Sequence, residues 1–130
     1  MKRVAALALL VVAGLSCGEP SGPKAGELKV VLTTPNPGAD GAIMFTINGP
    51  APLTSLTAEA GLRAFTDGTG GVTTHVILTT ATGALINAIV LRIGVEDVGQ
   101  VTQYAAAVNQ VASNTYQLRV TGGYTLTVVK

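Results

Sequence analysis

The sequence predicts an all-β fold, an antiparallel β-sandwich of about eight or nine strands, behind a cleaved N-terminal signal helix. Three observations lead to this prediction. Apolar and polar residues alternate with a period of two along most of the chain after Glu27. Clusters of Gly, Pro, Asn and Asp interrupt these runs at intervals of roughly ten residues. No crossover helix of the kind that a parallel sheet requires separates the runs.

The first sixteen residues predict export. A short basic start, Met1-Lys2-Arg3, is followed by an uncharged apolar run from Val4 to Leu15. A helix of that length rises about 18 Å, which is less than the roughly 30 Å of a bilayer core. We therefore predict a signal peptide over residues 1–16 rather than a permanent membrane span, with a buried core helix as the alternative.

The apolar run ends at Ser16 and Cys17, the only cysteine in the chain. This arrangement resembles the lipobox of bacterial lipoprotein signals, in which small residues precede a lipidated cysteine. The resemblance implies a lipid anchor at Cys17 in the bacterial cell envelope, and Gly18 in place of Asp favours the outer membrane or cell surface. The alternative is ordinary cleavage after Ser16, which would release a soluble protein with a free thiol.

Residues 17–26 predict a flexible tether, and residues 27–130 predict the folded domain. The tether contains turn-forming residues and no large apolar side chain. The whole chain has a formal net charge of +1, which excludes the basic surface of a nucleic-acid binder. A hydrophobic fraction of 48% with only 12% charged residues also excludes a disordered chain.

The first half of the domain predicts five strands. The inward positions of the first two are Leu28, Val30, Leu32, Ile43, Phe45 and Ile47, and the second strand turns Met44, Thr46 and Asn48 outward. Looser alternation predicts strands over residues 53–59 and 61–66. The fifth strand has two faces, with Val72, Thr74, Val76 and Leu78 on one and Thr73, His75, Ile77 and Thr79 on the other.

The second half predicts a central strand over residues 83–94, because both of its faces are apolar. Residues 101–112 fit both a helix and a strand, and the neighbouring strands favour a strand. Residues 116–121 and 124–129 alternate on either side of Gly122-Gly123, which predicts a C-terminal hairpin with a two-residue turn.

The order of these elements resembles the cohesin-like β-sandwich modules of bacterial surface proteins. The resemblance rests on the strand Gly41–Ile47 and on the Gly followed by a long apolar strand at Gly83–Ile93. It implies a sandwich that binds a protein partner through a sheet face, whereas related sandwiches bind carbohydrate or act as spacers. No residue maps onto a partner-binding position, so the ligand-binding residues stay unknown.

The sequence contains no recognisable catalytic group. His75 is the only histidine, and neither a second metal-binding residue nor a nucleophile motif accompanies it. We therefore expect a partly exposed strand residue and no enzymatic activity, with a small hydrolase as a remote alternative. A hydrolase would require His75 to meet two acidic residues within hydrogen-bonding distance.

No metal or cofactor site is predicted. The adjacent pair Glu96-Asp97, with Asp40 or Asp67, offers oxygen ligands for Ca²⁺, but the spacing of a calcium loop is missing. We therefore expect solvated loop acids. The glycine-rich stretch at residues 68–71 lacks a Lys and a following helix, which favours a turn over a phosphate site.

Three tyrosines are the candidates for stacking on a sugar. Tyr104, Tyr116 and Tyr124 all fall on predicted inward faces, so core packing is the favoured interpretation. The sequence therefore predicts an envelope-tethered binding or structural module for a protein partner. A carbohydrate-binding module is the alternative.

Overall fold

The structure is a computed structural model that describes residues 22–80 and 84–130. The predicted signal peptide, residues 1–16, and the predicted lipidation site, Cys17, lie outside the described residues. The described residues form β1 (Gly26–Thr33), β2 (Asp40–Asn48), β3 (Ser55–Ala58), β4 (Leu62–Thr66), β5 (Thr73–Thr80), β6 (Ala88–Val95), β7 (Ala105–Ser113), β8 (Leu118–Arg119) and β9 (Thr125–Val129). A 3-10 helix, Val98–Gln103, lies between β6 and β7.

All strand pairs are antiparallel, as the sequence predicts. The strands form one path in the order β3-β6-β1-β9-β7-β2-β5-β4, with β8 beside β7. The path has a narrow link between β9 and β7, which pair at Leu126 and Ala106. The two end strands, β3 and β4, are joined by residues 59–61, so the sheet nearly closes on itself.

The inward side chains from both sides of the β9–β7 link form one hydrophobic core. The six apolar positions predicted inward on β1 and β2 are each at most 1% exposed. Each such side chain contributes about 1.5–3 kcal/mol by leaving water. The all-β prediction is therefore confirmed, and the period of two indicates the core positions of β1 and β2. It fails at Val72 and Val120, which are predicted to point inward and are 52% and 86% exposed.

The central strand is shorter at its start than predicted. β6 begins at Ala88 and continues to Val95, whereas Ile86 is 56% exposed. Leu85 instead bridges to the start of β2: its N–H donates to the Asp40 carbonyl at 2.8 Å, and its carbonyl accepts from Gly38 N–H at 2.9 Å. These hydrogen bonds direct the segment away from β1.

Residues 101–112 adopt both of the structures that their pattern allowed. The strand prediction is correct from Ala105 onward and wrong before it, where the 3-10 helix continues to Gln103. Asp97 caps this helix, since its Oδ1 accepts from Gly99 N–H at 2.9 Å. Tyr104 has extended backbone angles and begins the change to strand.

The predicted C-terminal hairpin is wrong. β8 pairs with the end of β7, and β9 pairs with the start of β7 and with β1. β8 and β9 are both antiparallel to β7. The register of their pairing with β7 changes by two residues from β8 to β9, across Gly122-Gly123. By pairing with β1, β9 provides hydrogen-bond partners for the backbone N–H and C=O groups along one edge of β1. A local hairpin would have left those groups without strand partners.

Candidate functional site

His75 contacts one carboxylate in the part of the chain that the structure describes. The turn between β4 and β5 places Asp67 so that its Oδ1 accepts from His75 backbone N–H at 3.1 Å. The other oxygen, Oδ2, lies 2.7 Å from Nδ1 of the ring. This side-chain hydrogen bond, followed by the backbone one, holds the pKa of Asp67 below its usual value. Both side chains are more than half exposed, as was predicted for His75, so the pair stabilises the fold little.

The glycine-rich stretch is a turn, as predicted. It joins β4 to β5, and a strand rather than a helix follows it. Gly68 has φ +112°, a conformation that glycine adopts readily. Its N–H donates to Thr66 Oγ1 at 3.2 Å. The stretch therefore forms the turn of the β4–β5 hairpin and places Asp67 beside His75.

Asp40 is completely buried, so the expectation of a solvated acid is wrong for this residue. Its carboxylate accepts hydrogen bonds from Thr34 Oγ1 at 2.5 Å and from the Tyr124 hydroxyl at 2.8 Å. Arg119 Nε lies 3.1 Å from Oδ1. A buried carboxylate requires such partners because it has lost its hydration. The Asp40 network ties β2 to the segments that follow β1 and precede β9, which indicates a structural role.

The Glu96-Asp97 pair is divided between two tasks. Glu96 is exposed, while Asp97 caps the 3-10 helix and accepts from Lys24 N–H at 3.3 Å. Among the described residues, no group of three or more His, Cys, Asp or Glu side chains is placed to hold a metal ion. The calcium hypothesis therefore receives no support from the placement of Asp40, Asp67 and Asp97.

The three tyrosines have different environments. Tyr104 is 4% exposed and Tyr124 6%, as predicted, but Tyr116 is 95% exposed. Tyr116 has φ +66° in the turn after β7, so the strand alternation that predicted an inward ring does not apply to it. Tyr104 packs against Gly49, where a Cβ atom would clash with the ring. Burial raises the pKa of Tyr104, and the negative charges of Glu96 and Asp97 raise it further.

The strongest candidate site is an exposed apolar surface on the outward side of β4, β5, β2 and β8. We call it the apolar face and define it by Phe65, Ile77, Met44 and Leu118. Phe65 is paired with Ile77, and Ile77 with Met44, so three side chains stand in one row across three strands. The exposed fractions are 56% for Phe65, 41% for Ile77, 36% for Met44 and 75% for Leu118.

Two shallow cavities mark the apolar face. One has a volume of about 370 Å³ and is lined by Phe65, Ile77 and Met44 together with Asp67 and His75. The other has a volume of about 120 Å³ and lies among Met44, Ile77 and Leu118. Because Met44 and Ile77 line both cavities, the apolar face is continuous from β4 to β8.

The outward side of β3, β6 and β1 is different, and we call it the charged face. Lys29 and Arg92 are paired across β1 and β6, and Thr57 of β3 is the partner of Arg92 on the other side. Arg92 Nε donates to Glu59 Oε1 at 2.5 Å. Both side chains of this ion pair are about one-third exposed, so water solvates their charges.

Sequence reasoning found two of the four members of the apolar face and missed the face itself. Met44 and Ile77 are predicted to point outward, and Phe65 lies in a predicted strand. Leu118 falls on the same predicted inward face as Tyr116, and this prediction is wrong, because Leu118 is 75% exposed. The outward positions were interpreted as mainly Thr, Asn and Gln. The missing information was strand order, since only the pairing of β4 with β5 and of β5 with β2 places these side chains together. A signal was present, because the apolar residues Met44 and Ile77, both at outward positions of predicted strands, are unusual on a solvated face.

Comparisons with protein-family models, with curated proteins and with solved structures found no match to this chain. The resemblance to cohesin-like modules and to lipoprotein signals therefore stays a prediction. Within residues 22–80 and 84–130, the structure contains no helix long and apolar enough to cross a membrane.

Proposed function

We propose that this chain is an envelope-tethered binding module that holds another protein on its apolar face and has no catalytic activity. The observation that carries the proposal is the continuity of the apolar face from Phe65 to Leu118. Exposed apolar patches with polar rims are typical of interaction sites, because a partner that covers them removes apolar surface from water. Binding through a sheet face is also what the cohesin resemblance implies.

The position of the tether is compatible with such a role. Lys24 is held beside the 3-10 helix, where its carbonyl accepts from Val98 N–H at 2.8 Å. Arg119, next to Leu118 of the apolar face, instead contacts Asp40 beside the far end of β1. A lipid at Cys17 would thus attach one end of the domain to the envelope, at the outer membrane or cell surface, and leave Leu118 at the other end.

For the carbohydrate-binding alternative, one of the three candidate tyrosine rings is exposed and available to a sugar. Tyr116 is exposed, and Phe65 adds a second exposed aromatic side chain that the sequence had not proposed. Tyr104 and Tyr124 are buried and present no face to a sugar. A small hydrolase has less support, since it would require His75 to meet two acidic residues, and within the described residues His75 meets Asp67 alone.

The proposal is tested by capture of envelope proteins on the full chain, with matched variants. Phe65→Ser removes the central ring from the apolar face, and Thr127→Ser changes an exposed residue of β9 on the other outer side. We expect a specific protein to be retained by the unchanged chain and by Thr127→Ser and lost with Phe65→Ser. Equal retention by all three chains would contradict the assignment of the apolar face, and retention of polysaccharide alone would favour the alternative.

A further inference from the structure

We propose that the partner protein binds by adding a β-strand to the free edge of β4, through a segment that carries an acidic residue beside Arg63 and an apolar residue beside Phe65. This inference rests on the proposed function, because Phe65 belongs to the apolar face, and it names the mode of binding and the chemistry of the partner. It follows from the open edge of the sheet, from the direction of the backbone groups of β4 and from the charge of Arg63.

The two end strands of the sheet leave a gap between them. β3 pairs with β6 alone and β4 with β5 alone, so no strand pairing joins β3 to β4 in the part of the chain that the structure describes. In the turn between them, Gly61 has φ +84°, whereas the φ of Ala60 is not positive. Turns that match the twist of paired strands require a positive φ at the first central residue, and a positive φ at the second alone splays the strands. β3 and β4 therefore diverge, and each keeps a free edge.

The backbone groups of Ala64 point out of the free edge of β4. Leu62 N–H donates to the Glu59 carbonyl at 3.0 Å, across the turn and away from β5. Backbone groups alternate in direction along a strand, so those of Ala64 also point away from β5, and those of its two neighbours point toward β5. The N–H of His75 on β5 agrees with this alternation, because it faces β4 and donates to Asp67. Ala64 thus offers one donor and one acceptor that no other described strand uses.

The gap also leaves part of the core incompletely covered. The inward apolar side chains of the two end strands are only partly buried, in contrast to those of β1: Leu56, Ala58, Leu62 and Ala64. Free edges are usually protected by a proline, a bulge or several charges. β4 contains no proline, its register with β5 has no bulge, and Arg63 is its only charge. A partner strand would cover this apolar surface and bind the free backbone groups at the same time.

The outward side chains of β4 define the chemistry of the partner segment. Arg63 is exposed and has no ion pair within the described residues, whereas the arginines of β6 and β8 each contact a carboxylate. Opposite side chains on neighbouring strands lie about 5 Å apart, so an added strand places one residue beside Arg63 and one beside Phe65. An acidic and an apolar residue complement these two. The free edge of β3 offers neither contact, because its outward residues Ser55 and Thr57 are polar and uncharged.

The register of such a pair specifies a peptide that can serve as a probe. In an antiparallel pair, the residue opposite Ala64 exchanges two hydrogen bonds with it, the preceding residue lies opposite Phe65, and the following one lies opposite Arg63. The probe is therefore a synthetic peptide with the core Val-Ile-Val-Glu-Val between flexible Gly-Ser ends, in which Ile faces Phe65 and Glu faces Arg63. The matched control contains Lys in place of Glu.

The first test measures binding of both peptides to the full chain by fluorescence anisotropy, and amide hydrogen exchange of the chain by NMR. In the free chain we expect the Ala64 amide to exchange rapidly and the Phe65 amide slowly, since only the second is bonded to β5. A saturating amount of the Glu peptide should slow exchange at Ala64 at least about tenfold. The Lys peptide should bind about fivefold more weakly, because it faces a like charge. Slow exchange at Ala64 in the free chain, or equal binding of the two peptides, would overturn the inference.

A second pair of peptides separates strand addition from contact of side chains alone. N-methylation of the central Val removes the N–H that would donate to the Ala64 carbonyl, and it should weaken binding at least about tenfold. N-methylation of the preceding Ile removes an N–H that points away from β4, so this matched control should bind as the unmodified peptide does. Equal affinity of the two methylated peptides would show that side chains dock without a strand, which overturns this inference and leaves the proposed function standing.

The two proposals can fail separately. If the Glu peptide does not bind the full chain, strand addition at β4 is wrong. The proposed function is still decided by the capture of envelope proteins with Phe65→Ser, because that experiment requires the apolar face and does not depend on how the partner's backbone is bound.

Discussion

The two outer faces of this domain have the same backbone structure and opposite chemistry. On the charged face, Arg92 and Glu59 form an ion pair that is partly exposed to water, and Lys29 is the strand partner of Arg92. On the apolar face, Phe65, Ile77 and Met44 stand in a row that no element of the described chain covers. A partner gains little free energy from covering the first face, since it would remove hydration from charges, and it gains free energy from covering the second. The difference assigns the proposed binding to one side of the fold.

The largest effect is expected at a site that supports both faces. Asp40→Ala removes the carboxylate that holds Thr34, Tyr124 and Arg119, which connect the strands of the charged face to β2. We expect a loss of about 3 kcal/mol in the free energy of unfolding, because the buried partners keep their desolvation penalty without an acceptor. Urea unfolding followed by circular dichroism measures it.

The control for this change is Asp40→Asn, which retains one oxygen acceptor and most of the volume. It should lose less stability than Asp40→Ala. A midpoint for Asp40→Ala equal to that of the unchanged chain would show that the Asp40 network does not stabilise the fold.

The next effect separates the two faces directly. Phe65→Ser should weaken binding of the partner about 30-fold, as expected for a central aromatic anchor. The free energy of unfolding should change by less than about 0.5 kcal/mol, since the ring is already exposed in the free chain. Titration of the bound partner against both chains measures the affinity, and thermal unfolding checks the fold. A large loss of stability with unchanged affinity would reverse the interpretation of this face.

A smaller effect is expected on the charged face. Arg92→Ala breaks the ion pair with Glu59, whose side chains are about one-third exposed. We expect a loss of about 0.5 kcal/mol in stability, reduced further at high salt, and no change in partner binding. Unfolding at low and high ionic strength measures the first part. Weaker partner binding by Arg92→Ala would place part of the interface on this face.

The smallest effect concerns Asp67 and His75, which line one cavity of the apolar face, and it depends on pH. The hydrogen bond from His75 lowers the pKa of Asp67 from its usual 3.8. A lowered pKa in the folded state means that the contribution to stability is present above that usual value and disappears as the pH falls through the folded pKa. NMR titration of the Asp67 carboxyl should show a lowered midpoint that returns toward the usual value in His75→Gln. The same midpoint in both chains would exclude the His75 ring as the cause.

The sequence by itself determined the fold class, the inward residues of β1 and β2, and the turn between β4 and β5. Leu28, Phe45 and Val76 could be placed in the core because side-chain direction in a strand has a fixed period of two, whatever the strand pairs with. The turn at residues 68–71 was also predictable, since glycine conformations are local. Side-chain direction and turn conformation depend on a few neighbouring residues, so they can be predicted from a short stretch of sequence.

Only the tertiary structure decided which strands are neighbours, and the candidate site depends on that. The C-terminal hairpin failed because β9 pairs with β1, some hundred residues earlier in the chain, in preference to its sequence neighbour. Asp40 could not be recognised as buried, since its partners Thr34, Arg119 and Tyr124 meet through that same closure. The apolar face likewise exists only when β4, β5 and β2 lie side by side. Long-range pairing depends on how all the strands together satisfy their edges and their core, and no short stretch of sequence contains that information.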